Sequence, residues 1–197
     1  MRLLIATRNP GKVREYAQLM AGLDFEICGL ADVGIDEQVD ETGQTFEENA
    51  RLKAQVYCQA SGLLTLADDS GLEVEALNGA PGVHSARYAG PDASDAERYC
   101  KLLAALRDVP WEKRAARFRC VIALAWPAGR IETFQGHCDG VIAFEPKGTH
   151  GFGFDPIFYI PELGCTMAEL PEEQKNQISH RARAAALARQ RLMRADH

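Results

Sequence analysis

Leu63-Leu64-Thr65-Leu66-Ala67-Asp68-Asp69-Ser70-Gly71 is the stretch on which the reading of this chain turns. Leucines with one β-branched residue, ending in charge and a glycine, predict a buried strand that stops in a tight turn. Ligand sites in open α/β sheets gather outside the carboxyl ends of strands. The pattern therefore carries two adjacent carboxylates to the rim where ligands bind. Neighbouring like charges repel unless a cation or a proton lies between them. One reading is a Mg²⁺ site with a general base. The other is a solvated Asx turn, since Asp is common in turns. The stretch alone does not choose between them.

Working outward, Leu3-Leu4-Ile5-Ala6 predicts a short buried strand. Thr7-Arg8-Asn9-Pro10-Gly11-Lys12 is turn material, and residues 13–20 follow as a helix with Val13, Ala17 and Met20 on one face. Phe25-Glu26-Ile27-Cys28 predicts a second strand, and residues 32–43 an acidic loop. Thr45-Phe46-Glu47-Glu48 has the form of a capping box, opening a helix to about residue 60. Beyond the Asp-Asp turn, residues 72–77 alternate as a half-exposed strand, and residues 78–91 form a Gly- and Pro-rich loop. Ser94-Asp95-Ala96-Glu97 is a second capping box. Residues 117–124 predict a strand that passes from half-wet to buried, paired with residues 130–138 as a hairpin across Pro127-Ala128-Gly129. A second Gly-rich loop spans 148–156, and the tail from 171 to 194 is helical with a break near Ser179. Helices alternate with strands early, and hairpins fill the middle. The expected fold is α/β, a mixed twisted sheet with flanking helices. Residues 1–197 are expected to form one domain, in two lobes whose boundary composition does not place.

The chain of 197 residues, 46% hydrophobic and 25% charged, suits a globular protein with a real core. A net charge of -6 argues against non-specific nucleic-acid binding, which needs a basic face. Six cysteines are scattered with no C-x-x-C pair, so neither a disulfide frame nor a zinc site is expected, but buried thiols in a reducing cytosol. The apolar run at the start is too short for a signal-peptide core, and no run reaches membrane-spanning length. A cytoplasmic protein is expected.

Several side chains have the types that chemistry uses. Thr7-x-Asn9-x-x-Lys12 joins a strand to a helix, where free N–H groups and a lysine make a phosphate cradle, or else an ordinary turn. Asn49 and Lys53 are four apart and share a helix face, and Asp40 or Glu41 precedes that helix, where a carboxylate suits Mg²⁺. Phe152 and Phe154, between glycines, can stack on a base or fold into the core. Ser179-His180-Arg181 with Lys175 offers hydrogen-bond donors to a purine carbonyl, or simply a capped, charged helix start.

Taken jointly, seven segments in order resemble the inosine triphosphate pyrophosphatases, also called dITP/XTP pyrophosphatases, and the bacterial members most closely. They are Thr7, Asn9 and Lys12; Glu41-Thr42-Gly43 with Thr45-Phe46 and Glu48-Asn49-Ala50; Lys53; and Ala67-Asp68-Asp69-Ser70-Gly71-Leu72. Gly79-Ala80-Pro81-Gly82 with Ser85-Ala86-Arg87-Tyr88, Phe152-Gly153-Phe154-Asp155-Pro156, and Lys175 with Ser179-His180-Arg181 complete the set. Any one motif is weak, but together they cover nearly the whole chain. Two positions depart from the family pattern: Asp40 stands where a Glu is usual, and His84 where an aromatic is expected.

The resemblance implies an elongated, two-lobed fold with the active site in a central groove. It implies hydrolysis of dITP, ITP and XTP to the monophosphate and pyrophosphate, with Mg²⁺, by a cytoplasmic homodimer. Asp69, aided by Asp68, would activate water; Asp40 or Glu41 would join Asp69 on the metal. Lys12 and Lys53 would neutralise the triphosphate, and the turn of Thr7, Arg8, Asn9, Pro10, Gly11 and Lys12, together with Ser70, would bind it and add hydrogen bonds. Phe152, Gly153 and Phe154 would flank the base, and Asp155, Lys175, His180 and Arg181 would line its edge. Two rival classes stay open: another metal-dependent phosphohydrolase, separable by its products, and a non-catalytic nucleotide-binding regulator.

Overall fold

A computed structural model describes residues 1–194. Seven strands hydrogen-bond in the order β2-β1-β3-β4-β5-β6-β7. The early strands are β1 (Arg2–Ile5), β2 (Glu26–Gly29) and β3 (Leu64–Val74). The later ones are β4 (Ala115–Ala125), β5 (Ile131–Ile142), β6 (Phe158–Ile160) and β7 (Cys165–Thr166). β1 runs parallel to β2 and β3, whereas β6 is antiparallel to both β5 and β7, so the sheet is mixed as expected. The helices are α1 (Pro10–Leu19), α2 (Phe46–Ser61), α3 (Asp95–Ala105), α4 (Glu172–Ile178) and α5 (His180–Met193).

The chain packs as two compact units. Unit 1 holds residues 1–69, 120–136 and those from 181 on, and unit 2 holds 70–119 and 137–180. Each has its own apolar core. In unit 1, Leu3, Ile5, Leu64 and Leu66 pack with Ile122 and Leu124. Ala184, Ala185 and Ala188 join that core, their short side chains letting α5 approach closely. In unit 2, Leu72, Val74, Leu102, Leu106, Phe118 and Phe158 do the same.

Local signals placed the helices. Both capping boxes are formed, Thr45 with Glu48 and Ser94 with Glu97. Gly62 stops α2 in the left-handed conformation that lacks a steric penalty only for glycine, at φ 69°. The tail breaks at Ser179, whose backbone is extended between α4 and α5. The expected hairpin closes where Trp126 N–H donates to the Arg130 carbonyl at 2.9 Å.

Three local expectations are corrected. The Asp68-Asp69-Ser70-Gly71 segment is not a turn but the middle of β3, and residues 72–74 continue the same strand. β3 lies between β1 and β4; β1 pairs with it at Leu64–Leu66, and the strand runs on through the aspartates as part of the sheet, so strand context overrides the turn preference of Asp and Gly. Next, α1 starts at Pro10, with the Asn9 side chain accepting from Gly11 N at 2.8 Å and Lys12 N at 3.2 Å. Thus Pro10, Gly11 and Lys12 form its first turn. Finally, Val13 and Ala17 of α1 are exposed, and the inner face is Gly11, Glu15, Tyr16 and Met20. An apolar periodicity count misses that face because a carboxylate lies in it.

Unit 2 also buries a cation held by backbone carbonyls. Arg114 is 1% exposed. Its guanidinium donates to the carbonyls of Ile142 (2.8 Å), Leu106 (2.9 Å), Ala143 (3.1 Å) and Val109 (3.3 Å). An apolar residue would remove a donor from each of these carbonyls, of which that of Leu106 also accepts from Val109 N at 3.0 Å. Arg114→Met should therefore cost about 2–3 kcal/mol. Thermal unfolding reads this as a lowered Tm; an unchanged Tm would show that these bonds contribute nothing net.

Candidate active site

Consecutive strand residues face opposite ways, so Asp68 and Asp69 meet different partners. Asp68 is buried, and its Oδ2 lies 2.8 Å from Lys12 Nζ and 3.7 Å from Arg181 Nε. Cys120 Sγ donates to the same oxygen at 3.8 Å. The Arg181 guanidinium also pairs with Glu15. α1 thus supplies Lys12 and Glu15 one turn apart on one face, and α5 supplies Arg181 in its first turn.

Asp69 is served by α2. Asn49 Nδ2 donates to Asp69 Oδ2 at 2.9 Å, while Asn49 Oδ1 accepts from Gly43 N at 2.8 Å. One buried amide therefore ties the acidic loop to the strand. A side chain at Gly43 would sit 2.7 Å from that amide oxygen, so the position admits only glycine without movement. Lys53, one turn beyond Asn49, lies 2.5 Å from Glu41 Oε1. Glu41 is the most open of this set, with a quarter of its side chain exposed.

The two aspartates are pushed apart in acidity. Burial alone would raise Asp68, but Lys12, Arg181 and Lys53 outweigh it and hold its carboxyl well below the usual range. Burial raises Asp69, and Glu41 adds to the rise. Lys53, Lys12 and the Asn49 hydrogen bond offset only part of it, so Asp69 stays above its ordinary value. Burial would lower Lys53, but Asp69, Asp68 and Glu41 lift it above the usual lysine value. Burial, reinforced by Asp68, pushes the Cys120 thiol up to about 12, which suits packing and not nucleophilic catalysis.

A hard dication fits this donor set. Glu41 and Asp69 are neighbouring carboxylates of like charge, and Mg²⁺ is commonly held by one or two carboxylates plus substrate phosphates. The buried Asp68 Oδ1 has no hydrogen-bond partner among the described residues. Among those residues, no three Asp, Glu, His or Cys side chains converge as a complete protein cage.

The other expected residues sort by unit. Thr7 Oγ1 accepts from Asn9 N at 3.2 Å, and Arg8 donates to the Asp36 carbonyl. Asp40 is exposed; Glu41, not Asp40, is the carboxylate beside Lys53. Ser70 begins the part of β3 that belongs to unit 2.

Within unit 2, Asp155 Oδ2 accepts from Lys175 Nζ at 2.7 Å and from Phe152 N at 2.9 Å. Lys175 Nζ sits 4.8 Å from the Phe152 ring centroid, a cation–π contact. Gly153 N donates to Asp95 Oδ2 at 2.6 Å. The loop around Phe152 is thereby pinned from α3 and α4. His180 stacks on Phe118, with ring centroids 4.7 Å apart.

Two placements differ from expectation. Phe154 belongs to the core of unit 2, where its side chain is buried among apolar neighbours. Arg181 is buried in unit 1 against Glu15 and Asp68. Glu15 and Asp95 were not expected at all. For Glu15 the available signal was a carboxylate three residues after Lys12 on the same helix face; for Asp95 no local signal exists.

Comparison with known proteins matches this arrangement to relatives along nearly the whole chain. The dITP/XTP pyrophosphatase of Geobacter sulfurreducens is 54% identical over 191 residues, covering 97% of this chain and 96% of the relative. The dITP/XTP pyrophosphatase of Bacillus subtilis is 46% identical over 92% of this chain and 91% of its own length. The solved structure of a HAM1 protein from Coxiella burnetii superposes with a TM-score of 0.90 at 42% identity, covering 99% of this chain and 100% of that one. The model of the Ham1 family matches residues 3–191, and with relatives this similar in sequence and in fold the chain belongs to the Ham1 family.

Proposed function

We propose that this protein hydrolyses dITP, ITP and XTP to the nucleoside monophosphate and pyrophosphate, clearing deaminated purines from the nucleotide pool. The observation that carries the reading is the divergence of Asp68 and Asp69. Environments that push two neighbouring carboxyls apart assign them different roles. Asp69, with its raised proton affinity, takes the proton of the water that attacks the α-phosphorus. Asp68 stays ionised and holds Lys12. Lys12 and Lys53 bind the triphosphate and stabilise the charge that develops on the departing pyrophosphate. Asn49 orients Asp69, and the N-terminal end of α1, whose Gly11 and Lys12 N–H groups are capped by the Asn9 side chain, adds positive potential for the phosphates. Glu41 and Asp69 would hold Mg²⁺, which supplies neutralising charge to the phosphate oxygens when bound. Phe152, Asp155, Lys175 and His180 carry the base-recognition role that the family resemblance assigns. A homodimer in the cytoplasm completes the proposal, also on that resemblance. No helix among the described residues is long and apolar enough to cross a membrane.

Selectivity follows from hydrogen-bond sign. Hypoxanthine and xanthine carry an acceptor oxygen at position 6, where adenine carries a donor amino group. A donor facing that amino group leaves both unpaired, at about 1–3 kcal/mol per buried group. Ion-exchange analysis of products from dITP and dATP with Mg²⁺ tests the proposal. The expected result is dIMP and pyrophosphate, with dATP largely intact. Orthophosphate and dIDP would refute the α–β cut, and binding of dITP without turnover would leave a regulator.

A further inference from the structure

We infer that Glu15 is a positioning residue for the reaction: by pairing with Arg181 it keeps that guanidinium off the Asp68 oxygen that fixes the Lys12 ammonium. The inference rests on the phosphate role proposed for Lys12. Glu15 is 4% exposed and Arg181 2%, so water does not screen the pair. The four charges alternate in sign: Glu15, Arg181, Asp68, Lys12. Lys12 Nζ lies 2.8 Å from Asp68 Oδ2, a direct bond. Arg181 Nε is 3.7 Å from the same oxygen, outside hydrogen-bond distance. The Glu15 carboxylate takes the Arg181 Nη1 donor on the other side. Tyr16, the next residue of α1, sets its ring 5.9 Å from the guanidinium.

Neutralising Glu15 would leave Asp68 as the charged partner of a buried guanidinium. Arg181 would then close on Oδ2 and compete with Lys12. The Lys12 ammonium would lose its fixed position, although nothing at Lys12 itself had changed. Glu15 thus acts through Lys12 and touches no substrate.

A double-mutant cycle separates this from a purely structural role. Pyrophosphate release from dITP is measured for the wild type, Glu15→Gln, Lys12→Met and the combination, with thermal unfolding of each. Glu15→Gln is expected to lower kcat/KM by about tenfold or more, and to change it less than about twofold when Lys12 is already Met. Equal losses in both backgrounds, or no loss from Glu15→Gln, would overturn the inference. If Glu15→Gln does not fold, the cycle is run with Glu15→Asp. That variant keeps the charge one methylene short, and its smaller loss must likewise vanish without Lys12. A wild type that releases no pyrophosphate from dITP would instead refute the proposed function.

Discussion

Asp69→Asn is expected to abolish turnover of dITP while leaving the metal-free protein at least as stable as the wild type. Removing a general base costs about 10²–10⁴-fold. Asn still accepts a hydrogen bond from Asn49 but cannot take a proton from water. The stability half of the result follows from sign. The folded-state pKa of Asp69 is raised, by burial first and Glu41 next. A raised carboxyl binds its proton more tightly in the folded than in the unfolded state. Above the folded value its charge therefore opposes folding, and that opposition fades as pH falls through that value. Replacing the charge with an amide removes it. Product assays with Mg²⁺ and thermal unfolding in EDTA measure the two halves. Near-normal turnover would remove Asp69 as the base. A large fall in Tm would show its charge to be stabilising and contradict the raised pKa.

Asp68→Asn is expected to behave in the opposite way, losing both stability and activity. Asp68 is held well below the usual carboxylate range, because Lys12, Arg181 and Lys53 outweigh the burial that would raise it. A depressed carboxyl contributes stability above its unfolded pKa, about 3.9. That contribution is full at neutral pH and is lost as pH falls below that value toward the folded one. An amide at position 68 leaves Lys12 and Arg181 sharing a buried site with too little negative charge. Removing one partner of a buried ion pair costs about 3–5 kcal/mol. In EDTA at pH 7, Tm should fall steeply relative to the wild type, and the difference should shrink when both are measured near pH 3. The surviving folded protein should lose kcat/KM through a misplaced Lys12. A Tm equal to wild type at pH 7 would mean that the ion pairs of Asp68 are not stabilising.

The contrast between these neighbours shows where the sequence was readable. Asp68 and Asp69 are identical in type and adjacent, and as a turn they would share one environment. In β3 they face opposite ways, and the partners that distinguish them come from Lys12, Asn49, Lys53 and Arg181. Arg181 is more than a hundred positions away in the chain, so no local pattern pairs it with Asp68. Asn49 and Lys53 were visible as an i, i+4 pair on a helix announced by its capping box. Glu15 was hidden because a charged residue on a helix reads as solvent-facing until its partner is known. Phe154 illustrates the reverse case. An aromatic between glycines suits either a stacking platform or a core, and only packing against the apolar side chains of unit 2 decides.

The sequence by itself determined the order of helices and strands, the mixed α/β class, the two capped helix starts and the family. Those features rest on short-range physics: side-chain periodicity, N-cap hydrogen bonds and motifs a few residues long. Tertiary structure alone decided that Asp68 anchors cations while Asp69 carries a raised proton affinity. It also placed Glu41 beside Lys53, and Glu15 with Arg181 behind Lys12. These depend on burial and on charges brought together from distant parts of the chain, where low dielectric makes each pairing strong and position along the chain says nothing about it.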